Sequence, residues 1–161
     1  MSSLLVTTSR KPGQLTRRVA RTLALLLGAH YENRGKASVA EVGARAEQLG
    51  LLRLMFVYEA HGNPARLAFW QGGWLEQEFR ITGVREASAK GRRLPGQAII
   101  VQADAASTKL RELLGLPQTV EAGRFVTVTI NSSEIRFELD RAPVLVLIGR
   151  FTTSEPARSP A

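Results

Sequence analysis

The stretch Leu4–Lys36, LLVTTSRKPGQLTRRVARTLALLLGAHYENRGK, decides how this chain folds. Leu4, Leu5 and Val6 form a short apolar run bounded by turn residues, which predicts a strand buried on both faces. Thr7 to Pro12 is a polar turn that carries Arg10 and Lys11. Pro12 disfavours a helical Lys11, so a helix starts at Pro12 or just after it. Leu15, Val19, Leu23, Leu26 and Leu27 follow the spacing of one helix face and span an arc of about 120°. Arg17, Arg18 and Arg21 fall roughly 200° to 300° around the same wheel, on the far side. Gly28 is placed to stop the helix. A second basic loop follows, Asn33-Arg34-Gly35-Lys36.

Arginines are good helix formers, and a helix packed on a sheet must turn polar groups outward, so the basic helix face alone proves little. The preceding loop shifts the balance. Arg10, Lys11, Arg17, Arg18 and Arg21 lie within twelve residues with no acidic residue between them. Helix N-termini and their loops also offer free N–H groups to phosphate. No G-x-x-x-x-G-K-[ST] pattern is present, so this is not a nucleotide P-loop.

Beyond this stretch, Ser38-Val39-Ala40-Glu41 has the form of a capping box, with Val39, Val42, Ala46 and Leu49 as the inner face of a helix ended by Gly50. Leu51 to Glu59 reads as a central strand. His61-Gly62-Asn63-Pro64 reads as a turn, and Ala65 to Trp70 as the returning strand. Trp74 to Thr82 is another strand. Glu86 to Gly96 is the most loop-like interior segment, and its Lys90, Arg92 and Arg93 make it a candidate basic loop. Ala98 to Gln102 is expected as a strand, Ser107 to Leu114 as a helix, and Phe125–Ile130 and Glu134–Leu139 as period-two strands turning at Asn131 to Ser133. Val144 to Ile148 is a further strand after Pro143. Each half thus runs strand, helix, hairpin, with halves at roughly 1–86 and 97–151 joined by the basic loop 87–96. Residues 152–161 are polar, hold two prolines, and are expected to be a disordered tail.

The 161 residues suffice for one domain with a real core. The 22 Lys and Arg against 14 Asp and Glu give a net charge of +8, which favours a polyanionic partner. Cysteine is absent, which removes disulfides, thiol catalysis and cysteine-ligated metal together and fits a cytoplasmic protein. With only His30 and His61, we expect no metal site. No apolar run approaches a membrane span, and no signal peptide is visible.

Leu5-Val6-Thr7-Thr8-Ser9-Arg10-Lys11-Pro12, then Asn33-Arg34-Gly35-Lys36, then Gly62-Asn63-Pro64, resemble in order and spacing the motifs of the Brix-domain family, which includes the Imp4-like proteins of ribosome assembly. The likeness covers roughly the first seventy residues and is to the single-domain archaeal members more than to the longer eukaryotic ones. The Gly-Pro-Arg-Phe signature of eukaryotic members is missing. Gly123-Arg124-Phe125 and Gly149-Arg150-Phe151 are only partial echoes, so RNA contacts of that region are not carried over. The resemblance implies one compact Brix domain over residues 1–151. It would be an α/β fold of two similar halves, each like the anticodon-binding domain of certain aminoacyl-tRNA synthetases. It also implies binding to precursor ribosomal RNA, in company with other ribosome-assembly proteins, with no catalysis and no cofactor. Arg10 and Lys11 are the carried-over candidates for phosphate contact, with Arg34 and Lys36 in the second loop; Asn33 and Gly35 shape that loop. Arg17, Arg18 and Arg21, with Lys90, Arg92 and Arg93, complete the expected RNA-binding set.

The alternative is a protein-interaction scaffold within a pre-ribosomal complex, with only nonspecific RNA affinity. Trp70 and Trp74, flanking Gly72-Gly73, are its candidate anchors, although such tryptophans more often belong to a core. An enzyme is the weakest alternative, because Glu59, Glu76, Glu78 and Asp104 are scattered and no nucleophile–base pair is legible.

Overall fold

A computed structural model describes residues 3–87, 93–103, 108–119 and 123–153, and the side chains of all of these except 101–103. The first strand, β1 (Leu4–Thr8), is buried throughout, as an apolar run between two covered faces requires. It leads through the loop at Arg10 and Lys11 into α1 (Gln14–Leu27). A two-residue strand, β2 (His30–Tyr31), pairs parallel to β1 at the sheet edge and was not legible in the sequence. Next come α2 (Val39–Gln48), β3 (Arg53–Ala60), β4 (Asn63–Trp70) and β5 (Trp74–Glu86). The second half is β6 (Ala98–Ala103), α3 (Thr108–Leu114), β7 (Val126–Ile130), β8 (Glu134–Leu139) and β9 (Ala142–Thr153).

Among the described residues these strands form one sheet in the order β2-β1-β3-β4-β5-β9-β8-β7-β6. The order reads alike from both ends. β1 is parallel to β3, with β4 and β5 antiparallel beyond; β6 is parallel to β7, with β8 and β9 antiparallel beyond. The two halves meet where β5 runs antiparallel to β9. Among the described residues β2 and α2 have no counterpart in the second half. The fold is therefore α/β with two similar halves in one sheet. Among the described residues no helix is long and apolar enough to cross a membrane.

Helices cover the sheet unequally. On the inner face, α1 places Val19, Ala20, Leu23 and Leu26 against Leu4, Val6, Met55, Phe69 and Phe79, and α3 adds Leu110, Leu113 and Leu114 to the same core. On the outer face, α2 packs Val42 and Ala46 onto Leu5, Leu54 and Phe56. The capping box of α2 forms as its sequence predicts, with the Glu41 N–H donating to Ser38 Oγ and the Ser38 N–H donating to Glu41 Oε1.

Several boundaries differ from the sequence expectation. Leu51 and Leu52 lie outside β3, because the Leu51 N–H closes the end of α2 onto the Ala46 carbonyl. β5 runs on past Thr82 to Glu86, because β9 supplies partners as far as Leu145. Thr152 and Thr153, expected in the tail, are paired with Glu78 and Gln77 and belong to β9. The remainder of that expected tail lies outside the described residues. Gly149 makes the central crossing possible. A Cβ there would overlap the Arg80 carbonyl oxygen of β5, so only glycine allows the two backbones to approach this closely.

Candidate functional site

Of the expected RNA contacts, Arg10, Lys11, Arg17, Arg18, Arg21, Arg34 and Lys36 lie on α1 and on the loops that precede α1 and α2. α1 rests its apolar stripe on the inner core, so Arg17, Arg18 and Arg21 face away from the sheet and are exposed. Arg10 and Lys11 are exposed in the loop before it, and Lys11 adopts a left-handed backbone (φ 51°) that turns the chain into the helix. Lys36 is exposed in the second loop.

These cations are not equivalent. Arg17 donates from Nη2 to the Pro12 carbonyl at 3.3 Å, which folds it back toward the first loop. Arg21 lies over the Tyr31 ring, 5.5 Å from its centre. Arg18 is engaged by Glu86 at the end of β5, with Nε and Nη2 donating to the two carboxylate oxygens at 2.7 and 2.9 Å. That forked bond, then the charge of Glu86, raises the Arg18 pKa further above its ordinary range. The cationic strength of the helix face thus rests on Arg17 and Arg21 more than on Arg18.

Arg34 corrects the expectation that placed it beside Lys36 as a phosphate contact. It is only 6% exposed. Its Nε donates to the Ala37 carbonyl at 2.7 Å and its Nη1 to the Thr8 carbonyl at 2.9 Å. The guanidinium stands 5.3 Å from the centre of the Phe56 ring. Arg34 therefore ties the second loop to β1 and is not offered to a ligand. Gly35 beside it has a left-handed backbone (φ 56°), and Asn33 accepts a hydrogen bond from the Tyr31 hydroxyl at 3.2 Å, so both shape the loop.

The start of α1 differs from expectation too. Glu59, on β3, reaches across and accepts from the Gly13 N–H at 2.9 Å and from the Thr16 hydroxyl at 2.5 Å through the same oxygen. The Thr16 bond, then the Gly13 bond, hold this carboxyl below its ordinary value. A carboxylate from β3 thus occupies the Gly13 N–H and the Thr16 hydroxyl at this helix start. No local motif links Glu59 to Gly13, 46 residues away; only the register of β3 brings them together.

Arg93 is exposed, and its carbonyl accepts from Arg124 Nη1 at 3.4 Å. Lys90 and Arg92 lie outside the described residues, so the structure does not place them beside the α1 face. Trp70 and Trp74 are half-buried and packed edge to face, 5.3 Å between ring centres, with Phe56 and Tyr58 against Trp74. They spend their surface on one another and on the α2 side of the core. Among the described residues no group of three or more His, Asp or Glu is placed to hold a metal ion.

No family model matches the chain. Two curated relatives share part of its sequence. A probable Brix domain-containing ribosomal biogenesis protein of Archaeoglobus fulgidus is 40% identical over 83 residues, 50% of this chain and 51% of the relative. Its namesake from Methanothermobacter thermautotrophicus is 44% identical over 66 residues, 41% of this chain and 40% of the relative. These matches span about half the length of the relatives or less. Among solved structures, Mil, an archaeal Imp4-like protein, superposes with a TM-score of 0.74 at 27% identity, covering 94% of this chain and 99% of that one. A probable ribosomal biogenesis protein from Aeropyrum pernix K1 superposes equally well at 22% identity over the full length of both chains, a likeness of fold.

Proposed function

We infer, from its likeness to Brix-domain and archaeal Imp4-like proteins, that this chain is a non-enzymatic RNA-binding factor in ribosome biogenesis. It holds precursor ribosomal RNA during processing and subunit assembly, in the cytoplasm, and works beside other assembly proteins. The single Brix domain, residues 1–151 with β9 continuing to Thr153, carries the activity. One observation supports this most: Arg10, Lys11, Arg17, Arg21 and Lys36 are exposed around one helix whose other side is anchored in the core. Such cations displace counterions from phosphate, and a rigid helix presents them at fixed spacing. Arginine's planar fork suits phosphate oxygens and stacks on unpaired bases.

The roles divide accordingly. Arg10, Lys11, Arg17 and Arg21 contact the backbone, Lys36 extends the surface, and Arg34 braces the second loop. Arg93, with Lys90 and Arg92, forms a secondary basic loop whose contribution is electrostatic.

The test is RNA binding across a salt series, with precursor ribosomal RNA fragments against an unrelated structured RNA. Exchanging Arg10, Lys11, Arg17 and Arg21 for glutamine is expected to flatten the salt slope by about 3, from about 0.7 per lost contact on single strands. Unchanged affinity and slope in a variant with the parent circular dichroism spectrum removes the proposed face. A steep slope without preference for any fragment assigns selectivity to a protein partner.

A further inference from the structure

The register of the sheet sets Tyr58 opposite Arg66, Arg66 opposite Arg80, and Arg80 opposite Arg150. These residues belong to four adjacent strands, β3, β4, β5 and β9, so they stand in one row with about 4.8 Å between neighbours. The row lies on the outer face. Phe79 and Ile81, on either side of Arg80, belong to the inner core, and Phe151 beside Arg150 packs against it. Side chains alternate along a strand, so the arginines point away from that core and from α1. Arg66 is accounted for: it pairs with Glu78 and lies over the Tyr58 ring, 4.4 Å from its centre. Arg80 and Arg150 are exposed, and neither meets an acidic side chain among the described residues.

Like charges directly opposite one another destabilise a sheet, and an exposed strand site accepts threonine as readily as arginine. Among the described residues, no acidic partner offsets the repulsion within the pair. α2 covers the outer face over Leu5, Leu54 and Phe56, but among the described residues no helix lies over Arg80 and Arg150. A polyanion laid across the row would supply the missing counter-charge. Tyr58, Phe56 and Trp74, at the β3 end of the row, pack on one another, and the complementarity the row offers is that of charge. Arg150 enters through its register with Arg80, not through the partial signature around it.

We propose that Arg80 and Arg150 form a second RNA-backbone contact on the outer face of the sheet, so that one molecule holds two RNA segments, one on each face. The inference rests on the RNA-binding function above and adds bivalency to it. The factor would then bring two segments of a precursor together across the thickness of its sheet.

Native mass spectrometry with hexauridylate, an oligonucleotide without secondary structure, reads the stoichiometry directly. The parent protein is expected to form complexes of two RNAs per protein. The variant Arg80→Gln/Arg150→Gln is expected to stop at one, with a salt slope lower by about 1.4 for two lost single-strand contacts. Its melting temperature should stay level or rise, since a repulsive pair is removed, which separates lost binding from lost folding. One RNA per protein in the parent, with the slope unchanged in the variant, overturns the second surface and leaves the α1 face standing. No binding by the folded parent overturns both.

Discussion

Glu59 ties the start of α1 to β3 through its charge. Its carboxylate oxygen serves Gly13 and Thr16 at the start of α1, where the helix dipole also favours negative charge. Because folding holds this carboxyl below its ordinary 4.5, ionised Glu59 adds stability above that pH and loses it as pH falls through the lowered value. Glu59→Gln keeps an acceptor but removes the charge, and is expected to cost about 1 kcal/mol at neutral pH, the scale of a carboxylate at a helix N-terminus. Urea denaturation at pH 7 and at pH 3 should show parent and variant converging in acid; a constant gap across that range would refute the assignment. Arg34 makes the complementary case of a cation used for structure. Arg34→Ala leaves two carbonyls unpaired and is expected to destabilise by about 3 kcal/mol. Arg34→Lys should recover little, since an ammonium cannot fork to the Thr8 and Ala37 carbonyls from one plane. Denaturation midpoints of the two variants check this, and full rescue by lysine would reduce Arg34 to a simple charge.

At the scale of the element, α1 works by division of labour between its sides. One side buries Val19, Ala20, Leu23 and Leu26 fully in the core, which fixes the helix against the sheet. The other carries three arginines, of which Arg18 is engaged by Glu86 of β5. That ion pair is exposed, so it contributes little to stability, but it withholds one cation from any ligand. Glu86→Gln is therefore expected to strengthen RNA binding and to steepen the salt slope by about 0.7, one added contact. Arg18→Gln alone should weaken binding less than Arg17→Gln or Arg21→Gln. Filter-binding titrations at three ionic strengths separate these outcomes; a Glu86 variant indistinguishable from the parent would mean that Arg18 never reaches the RNA.

Across the whole molecule, the two halves are held by the longest strand pairing in the sheet, β5 against β9. Gly149 sits where that pairing brings backbones closest. Gly149→Ala is expected to destabilise by more than about 3 kcal/mol, since the Arg80 carbonyl cannot yield without breaking the ladder. Thermal unfolding should show one transition in the parent, because the core and the sheet are continuous across the halves. The variant should melt earlier, and an unaltered melting curve would show that the crossing can relax.

The sequence by itself determined the elements whose signal is local. The apolar stripe and basic face of α1 follow from a 3.6-residue period, the capping box of α2 from Ser38 and Glu41, and the period-two strands β7 and β8 from their alternation. It also showed the repeat of strand, helix and hairpin, and the cationic first loop. Only the tertiary structure decided which charges are free. Arg18 looks equal to Arg17 on a helical wheel until β5 brings Glu86 to it. Arg34 looks like a loop cation until β1 and Phe56 enclose it. The same holds for Glu59, whose partners lie more than forty residues away, and for the arginine row, which exists only as register between strands. The reason is physical. Period and capping act over a few residues and are written in neighbouring letters. Burial, ion pairing and cross-strand register depend on which distant strand lies alongside, and no local pattern encodes that.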